Sequence, residues 1–140
     1  MFQFQGCSNL LLLLFFLVFL QFSNAEPGTA SLYSPPYTPT LCYGNDTWNF
    51  PTSNLFAAAG EGIWDDGAAC GRQYLVKCID STVPNTCKVG ESIQVTIVDR
   101  AQTSISRPAR PGTAIVLSNT TFWTIATPPA IFIVVEIQQI

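Results

Sequence analysis

The side chains in this sequence that could do chemistry are few, and histidine is absent altogether. Without histidine, neither a Ser-His-Asp triad nor a Cys-His pair can form, and the commonest metal ligand is missing. The remaining candidates are nine acidic residues, which could supply paired carboxylates for general acid and base catalysis. Asp99 stands out among them because it ends the clearest strand pattern of the chain. No pattern indicates a cofactor.

Residues 1–25 have the pattern of a signal peptide. The run Leu10 to Leu20 is apolar and uncharged, and it is shorter than the ~20 residues that span a bilayer. Ser23 and Ala25 supply small residues before a cleavage site, which we place after Ala25. Because the first residues contain no Lys or Arg, an uncleaved membrane anchor is the alternative. We expect a secreted protein with no membrane span once the signal is removed.

Four cysteines remain after Cys7 is removed with the signal: Cys42, Cys70, Cys78 and Cys87. An even number in a small exported chain indicates two disulfides, with three possible connectivities. A four-cysteine zinc site is the alternative, but its usual Cys-x-x-Cys pairs are missing, so we predict no metal site.

Residues 26–140 have the size of one ordinary domain. The best strand pattern is Ser92 to Asp99, where apolar and polar residues alternate. Further strand candidates are found along the chain, at 29–33, 55–59, 74–79, 114–117 and 131–138. One short helix is predicted at 119–125, with Ser118 as its N-cap. Short strands separated by turns predict an all-β fold, a small barrel or sandwich.

The net charge of −3 gives no electrostatic reason to bind nucleic acid or an anionic membrane. A closed barrel would have no free sheet edge for association, so we expect a monomer.

Several segments together resemble the expansin-related, endoglucanase-45-like domain of plants, and especially the plant natriuretic peptide group. They are GTASLY (28–33), LCYGND (41–46), NLFAAAGEGIWDDGAACGRQYLVKC (54–78), the following Cys87, and SIQVTIVDR (92–100). The resemblance implies a six-stranded double-psi β-barrel with one or two short helices. It also implies that Cys42 pairs with Cys70 and Cys78 with Cys87. A third bridge of expansins is missing, because Gln73 and Ala101 occupy its two positions.

The same resemblance speaks against hydrolysis. The related cellulases use two carboxylates, and the position of one of them, before the late helix, is occupied here by Val116. At the first strand, where the other carboxylate is expected, the chain has Ser31, Leu32 and Tyr33. Valine neither accepts nor donates a proton, so we predict that the protein is not an enzyme.

Asp99 ends the strand whose last Asp lines the groove of expansins, and the resemblance places it near Ser31 and Tyr33. A polar triplet at the floor of a shallow groove would hydrogen-bond a sugar or a peptide. The alternative is that Asp99 pairs with Arg100 or caps a turn. Further candidates are the three tryptophans Trp48, Trp64 and Trp123, because sugar rings stack on exposed aromatic faces. Burial in the core is the alternative for each of them.

Asn45 and Asn119 begin the two glycosylation sequons, and Asn45 is the better candidate because Asn119 starts the predicted helix. From the resemblance we expect a non-enzymatic protein of the extracellular space, the apoplast, that influences water and solute homeostasis through a cell-surface receptor. The alternative is a non-hydrolytic module that binds cell-wall polysaccharide.

Overall fold

Six strands close into one barrel in the computed structural model, which describes residues 25–101 and 113–140. The predicted signal peptide therefore lies outside the described residues, apart from Ala25. The strands are β1 (Glu26–Tyr33), β2 (Phe56–Ala59), β3 (Gln73–Ser81), β4 (Ser92–Arg100), β5 (Ile115–Ser118) and β6 (Phe132–Gln139). Two short helices accompany them, α1 (Glu61–Trp64) and α2 (Asn119–Ile125), and a 3-10 turn spans Asp65–Gly67.

The strand order around the barrel is β1-β5-β2-β4-β3-β6. β1 runs parallel to β5 and β2 runs parallel to β4, whereas the other neighbours are antiparallel. These two parallel pairs belong to the double-psi β-barrel that the resemblance implied, so the predicted fold is confirmed. All six strand predictions and the α2 prediction are also confirmed. α1 was not predicted, because its four residues are too few to show a helical period.

The barrel interior is filled by the apolar half of each strand pattern. β3 alternates strictly, with Tyr74, Val76 and Cys78 buried between exposed neighbours. Ile93, Val95 and Ile97 of β4 face the same interior, as the sequence predicted. α2 adds Phe122 and Ile125 to this core, and the Ser118 side chain accepts a hydrogen bond from the backbone N–H of Thr121 as its N-cap.

A second buried cluster lies on the outer face of the barrel. The segment 34–55, which we call the strap, leaves β1 and returns to β2 without forming a strand or helix. Its aromatic side chains pack over outward-facing residues of the strands. The residues in this cluster are Tyr33, Phe56, Ala58, Val98, Ala101 and Val116, with Tyr37, Tyr43 and Phe50 of the strap packed against them.

Two disulfides fix loops to the barrel. Cys42 of the strap is bonded to Cys70, with the Cα atoms 5.6 Å apart, and Cys78 is bonded to Cys87, with the Cα atoms 5.4 Å apart. This is the pairing implied by the resemblance. Within 25–101 and 113–140, no helix has the length and apolar character needed to cross a membrane.

Candidate functional site

One row of paired residues joins two of the residues that the sequence singled out. Ser31 pairs with Val116, Val116 with Ala58, and Ala58 with Asp99, on β1, β5, β2 and β4 in turn. Residues directly opposite in neighbouring strands share a face, so the row lies on the outer face, where Val116 and Ala58 belong to the cluster covered by the strap. Ser31 and Asp99 are at its two ends, three strand spacings or roughly 14 Å apart along the sheet.

A β-bulge in β4 turns Asp99 toward this outer face. The register between β2 and β4 passes from Ala57 opposite Ile97 to Ala58 opposite Asp99, so Val98 is the extra residue. Strict alternation would have placed Asp99 on the side of Ile97, inside the barrel. The bulge therefore brings the carboxylate to the face that the strap covers.

The Asp99 carboxylate holds the strap. Its Oδ1 accepts hydrogen bonds from the backbone N–H of Leu41, at 2.8 Å, and from that of Arg100, also at 2.8 Å. The side chain is 1% exposed. Of the two interpretations offered by the sequence, these two backbone hydrogen bonds are those expected of a structural Asp that fixes a chain turn.

Tyr33 and Ser31 are buried with their hydroxyl groups unpaired. Neither Tyr33 Oη nor Ser31 Oγ has a hydrogen-bond partner among the described residues. Burial raises the pKa of the Tyr33 hydroxyl above its ordinary value. The nearby charge of Asp99 raises this pKa further, and Tyr37 adds a smaller increase. The structure thus brings Tyr33 close to Asp99 but leaves Ser31 on the far side of Val116. All three residues of the predicted polar triplet are buried.

The two carboxylates of a hydrolase are not found on this face. Val116 is fully buried between Ser31 and Ala58. All nine acidic residues of the sequence lie within the described ranges; Asp99 alone is buried, and the others are exposed. An inverting mechanism needs two carboxyl groups ~6.5–9.5 Å apart around a water. Asp99 has no buried acidic partner to form such a pair.

A cleft at the α1 end of the barrel, which we call the α1 cleft, does contain carboxylates. Its volume is about 560 Å³, and its acidic lining residues are Glu26, Glu61 and Asp65. Asp65 binds Arg72 with 2.6 Å between Oδ2 and Nη2, and Glu61 binds Arg100 with 2.9 Å between Oε1 and Nε. Two of the three carboxylates are therefore engaged by arginine, at the protein surface.

Trp64 does not present a ring face to solvent. Its side chain is 8% exposed, and the Arg100 guanidinium lies 5.6 Å from the ring centroid. Trp123 is half-buried in contact with Phe122, with the ring centroids 5.0 Å apart. Of the three tryptophans, all of which the structure describes, Trp48 is the exposed one, at 92%. The candidate platform for a sugar ring is thus Trp48 and not Trp64.

A cleft between the strap and the start of α2, which we call the strap cleft, is lined in part by Thr47, the residue before Trp48. The strap cleft has a volume of about 520 Å³. Its lining residues are Tyr37, Thr38, Thr47, Phe50, Pro51, Asn54, Phe56, Ser118 and Thr120. The sequence analysis did not predict this cleft, because no periodic pattern marks a strap that is neither strand nor helix.

Ring-to-ring contacts fix the aromatic wall of the strap cleft. The rings of Tyr37 and Phe56 meet edge to face with centroids 4.8 Å apart, and Phe50 lies 4.8 Å from Phe56 on the other side. Tyr37 Oη accepts a hydrogen bond of 3.2 Å from the backbone N–H of Asn119. The strap and the N-terminus of α2 are thereby joined, and the strap cleft is formed before any ligand enters.

The two sequons differ in their surroundings. Asn45 is exposed, next to Gly44, whose φ of 60° makes the turn. Asn119 is half-buried, and its side-chain amide both donates to and accepts from the Ser34 hydroxyl, at 3.1 and 3.3 Å. Glycosylation of either asparagine stays a prediction. In the described part of the chain, no three His, Cys, Asp or Glu side chains are grouped closely enough to hold a metal ion.

Comparison with known proteins gives consistent relatives. A family model described as "Lytic transglycolase" matches residues 57–137. An "EG45-like domain containing protein" of Citrus jambhiri is 38% identical, covering 82% of this chain and 82% of that protein. The "Putative EG45-like domain containing protein 1" of Arabidopsis thaliana is also 38% identical, covering 81% of this chain and 84% of that protein.

Among solved structures, an expansin of Clavibacter michiganensis, crystallised as a point mutant in complex with cellohexaose, has a TM-score of 0.58 to this chain. The two are 16% identical, and the match covers 83% of this chain but 50% of the expansin. At this identity the similarity shows the fold.

Proposed function

This chain belongs to the EG45-like, expansin-related family, and on that basis we propose that it is a non-enzymatic extracellular protein that binds plant cell-wall polysaccharide. Membership of the family supports the general role, and the local geometry of the outer face supports the rest of the proposal.

The observation that supports it most is that Asp99 has no second acid beside it on the outer face. It is the one buried acidic residue, and it is hydrogen-bonded to the backbone of the strap. Val116 fills the position where the resemblance places a catalytic carboxylate. With no second buried acid to share a water, the outer face lacks the acid pair that an inverting hydrolase needs.

A second candidate function follows from the burial of the polar triplet. Ser31, Tyr33 and Asp99 are all buried, so the side chains that the family resemblance places in a groove offer little surface to a polysaccharide. That favours the signalling role of the natriuretic peptide group, in water and solute homeostasis, with a cell-surface receptor as partner. In this case the protein would need no polysaccharide ligand.

Retention on insoluble cellulose, xyloglucan and pectin, with reducing-sugar release measured on the same samples, tests the proposal. An expansin that shares this fold over half of its length was crystallised with cellohexaose, which motivates the choice of glucans. Retention without sugar release is expected. Binding to wall-free protoplasts together with no retention on any polysaccharide would favour the signalling role instead. Sugar release above the blank would contradict both candidates.

A further inference from the structure

Trp48 is exposed and yet held in a defined place. Thr47 and Phe50 close a turn around it, in which the Phe50 N–H donates to the Thr47 carbonyl at 3.0 Å. The backbone N–H of Trp48 donates to Asp46 Oδ1 at 2.8 Å. An exposed apolar side chain needs no explanation by itself. Here, however, Thr47 and Phe50, which close the turn, both line the strap cleft, so the backbone of Trp48 lies next to the rim of the cleft.

The chemistry of the strap cleft selects a class of ligand. Among the described residues that line it, none is charged. The polar groups that can face a ligand are the hydroxyls of Thr38, Thr47 and Thr120 and the amide of Asn54, since the Ser118 hydroxyl is already the N-cap of α2; the apolar wall is aromatic. Hydroxyl and amide groups beside aromatic rings match a neutral sugar, which has hydroxyls at its edge and C–H groups on its faces.

Anionic ligands fit less well. Carboxylate and phosphate groups are recognised by arginine or lysine, which form charge-assisted hydrogen bonds. The strap cleft offers neither in the described part of the chain. Its volume of about 520 Å³ lies within the roughly 300–1,000 Å³ of small-ligand sites. A short stretch of a neutral chain is therefore the better match than acidic pectin.

We propose that the strap cleft and Trp48 form a binding site for a neutral wall glycan, in which the Trp48 ring stacks on a sugar at the rim while the hydroxyl and amide groups hold neighbouring sugars inside. The inference rests on the proposed polysaccharide-binding function and names its site and ligand class. It also assigns the contact to residues other than Ser31, Tyr33, Asp99 and Trp64.

The test is a titration of the full secreted chain with xyloglucan oligosaccharides, with oligogalacturonate as the anionic comparison. Trp48→Ala is expected to weaken binding of the neutral ligand roughly tenfold, and Trp48→Phe, which keeps an aromatic face, much less. Val89→Ala is the matched control, because Val89 is 95% exposed and does not line the strap cleft. Since Trp48 is the exposed tryptophan, binding should shift the fluorescence of the wild type to the blue, and this shift should disappear in Trp48→Phe.

The outcomes separate the two proposals. If the wild type binds xyloglucan oligosaccharides and Trp48→Ala binds equally well, the strap cleft site is wrong while the polysaccharide-binding function stands. If the wild type prefers oligogalacturonate, the neutral ligand class is wrong. If it binds neither and is retained on no polysaccharide, the proposed function fails and the inference fails with it. Loss of binding in Asn54→Gly, which removes the amide and tolerates the φ of 61° at this position, would add independent support.

Discussion

The backbone N–H of Leu41 donates a hydrogen bond to the buried carboxylate of Asp99, at 2.8 Å, across 58 positions of sequence. This bond joins the strap to the end of β4, and the neighbouring Cys42–Cys70 disulfide joins it to the segment before β3. The residue that the family resemblance places in a groove therefore has a clear structural task in this protein, which is to hold the cover of the outer face.

Replacing Asp99 should destabilise the protein. Asp99→Ala leaves the partly buried N–H of Leu41 without this acceptor, and hydrogen bonds to charged groups contribute about 1.5–3 kcal/mol. We expect the free energy of unfolding to fall by about 2–3 kcal/mol in urea titration. Amide hydrogen exchange in the strap should become faster. Asp99→Asn keeps an oxygen acceptor and should lose less.

Asp80→Ala is the matched control for Asp99→Ala. Asp80 also accepts a hydrogen bond from the backbone N–H of the next residue, at 2.8 Å, but it is exposed and has no bond to the strap among the described residues. Its loss should change the free energy of unfolding by no more than about 0.5 kcal/mol. Equal effects of the two substitutions would show that the Leu41 bond contributes nothing.

The two disulfides should differ in their contribution to stability. In the chain-entropy model, closing loops with separations of 28 and 9 residues is worth roughly 3.5 and 2.5 kcal/mol. The paired substitution of Cys42 and Cys70 by alanine should therefore cost more free energy of unfolding than that of Cys78 and Cys87. Of the two paired substitutions, only that of Cys42 and Cys70 should also accelerate amide hydrogen exchange in the strap. The opposite order in denaturant titration would contradict the model for this barrel.

The barrel could be predicted from sequence because its strands carry their own patterns. Ser92 to Asp99 and 74–79 alternate between buried and exposed positions, and the alternation is the physical cause of the strand. The N-cap of α2 was also visible, since Ser118 precedes the helix and accepts from Thr121. The disulfide pairing came from the family resemblance, because four cysteines alone leave three possibilities.

The site could not be predicted in the same way. The bulge at Val98 depends on the pairing between β2 and β4, so no pattern in the sequence around Asp99 predicts that its side chain turns outward. Whether a tryptophan is buried depends on what folds over it, as Arg100 does over Trp64. The strap has no period at all, so its cleft and the exposure of Trp48 emerge only from tertiary packing.

Hydrolysis of soluble glucans should be absent. The wild type and Asp99→Asn should release equal amounts of reducing sugar, indistinguishable from a buffer blank, because no second buried acid accompanies Asp99. Glu61→Gln provides the comparison for the α1 cleft, which is lined by exposed carboxylates. Activity in the wild type that either substitution removes would locate a catalytic acid and would overturn the non-enzymatic proposal.

Only one of the two sequons should carry a glycan when the chain passes through a eukaryotic secretory pathway. Asn45 is exposed in a turn, whereas the Asn119 amide is held by Ser34 at the start of α2. Intact mass before and after N-glycosidase should show one glycan in the wild type and in Asn119→Gln, and none in Asn45→Gln. A glycan that persists in Asn45→Gln would show that Asn119 is modified, despite the contact with Ser34 that it makes in the folded protein.

Removing the buried Tyr33 hydroxyl should not weaken the protein at neutral pH. Tyr33 Oη has no partner among the described residues, and an unsatisfied buried group costs about 1–3 kcal/mol, so Tyr33→Phe should be neutral or stabilising by about 1 kcal/mol. Tyr37→Phe, the matched control, loses hydrogen bonds to Tyr33 and Asn119 and should be destabilising.

The dependence of stability on pH in the alkaline range gives a second readout for Tyr33. Because the pKa of Tyr33 is raised in the folded state, the unfolded chain releases that proton first, and the free energy of unfolding should fall as the pH rises above about 10. In denaturant titrations from pH 8 to 11, Tyr33→Phe should show a shallower decline than the wild type. Parallel curves would mean that this hydroxyl ionises equally in both states.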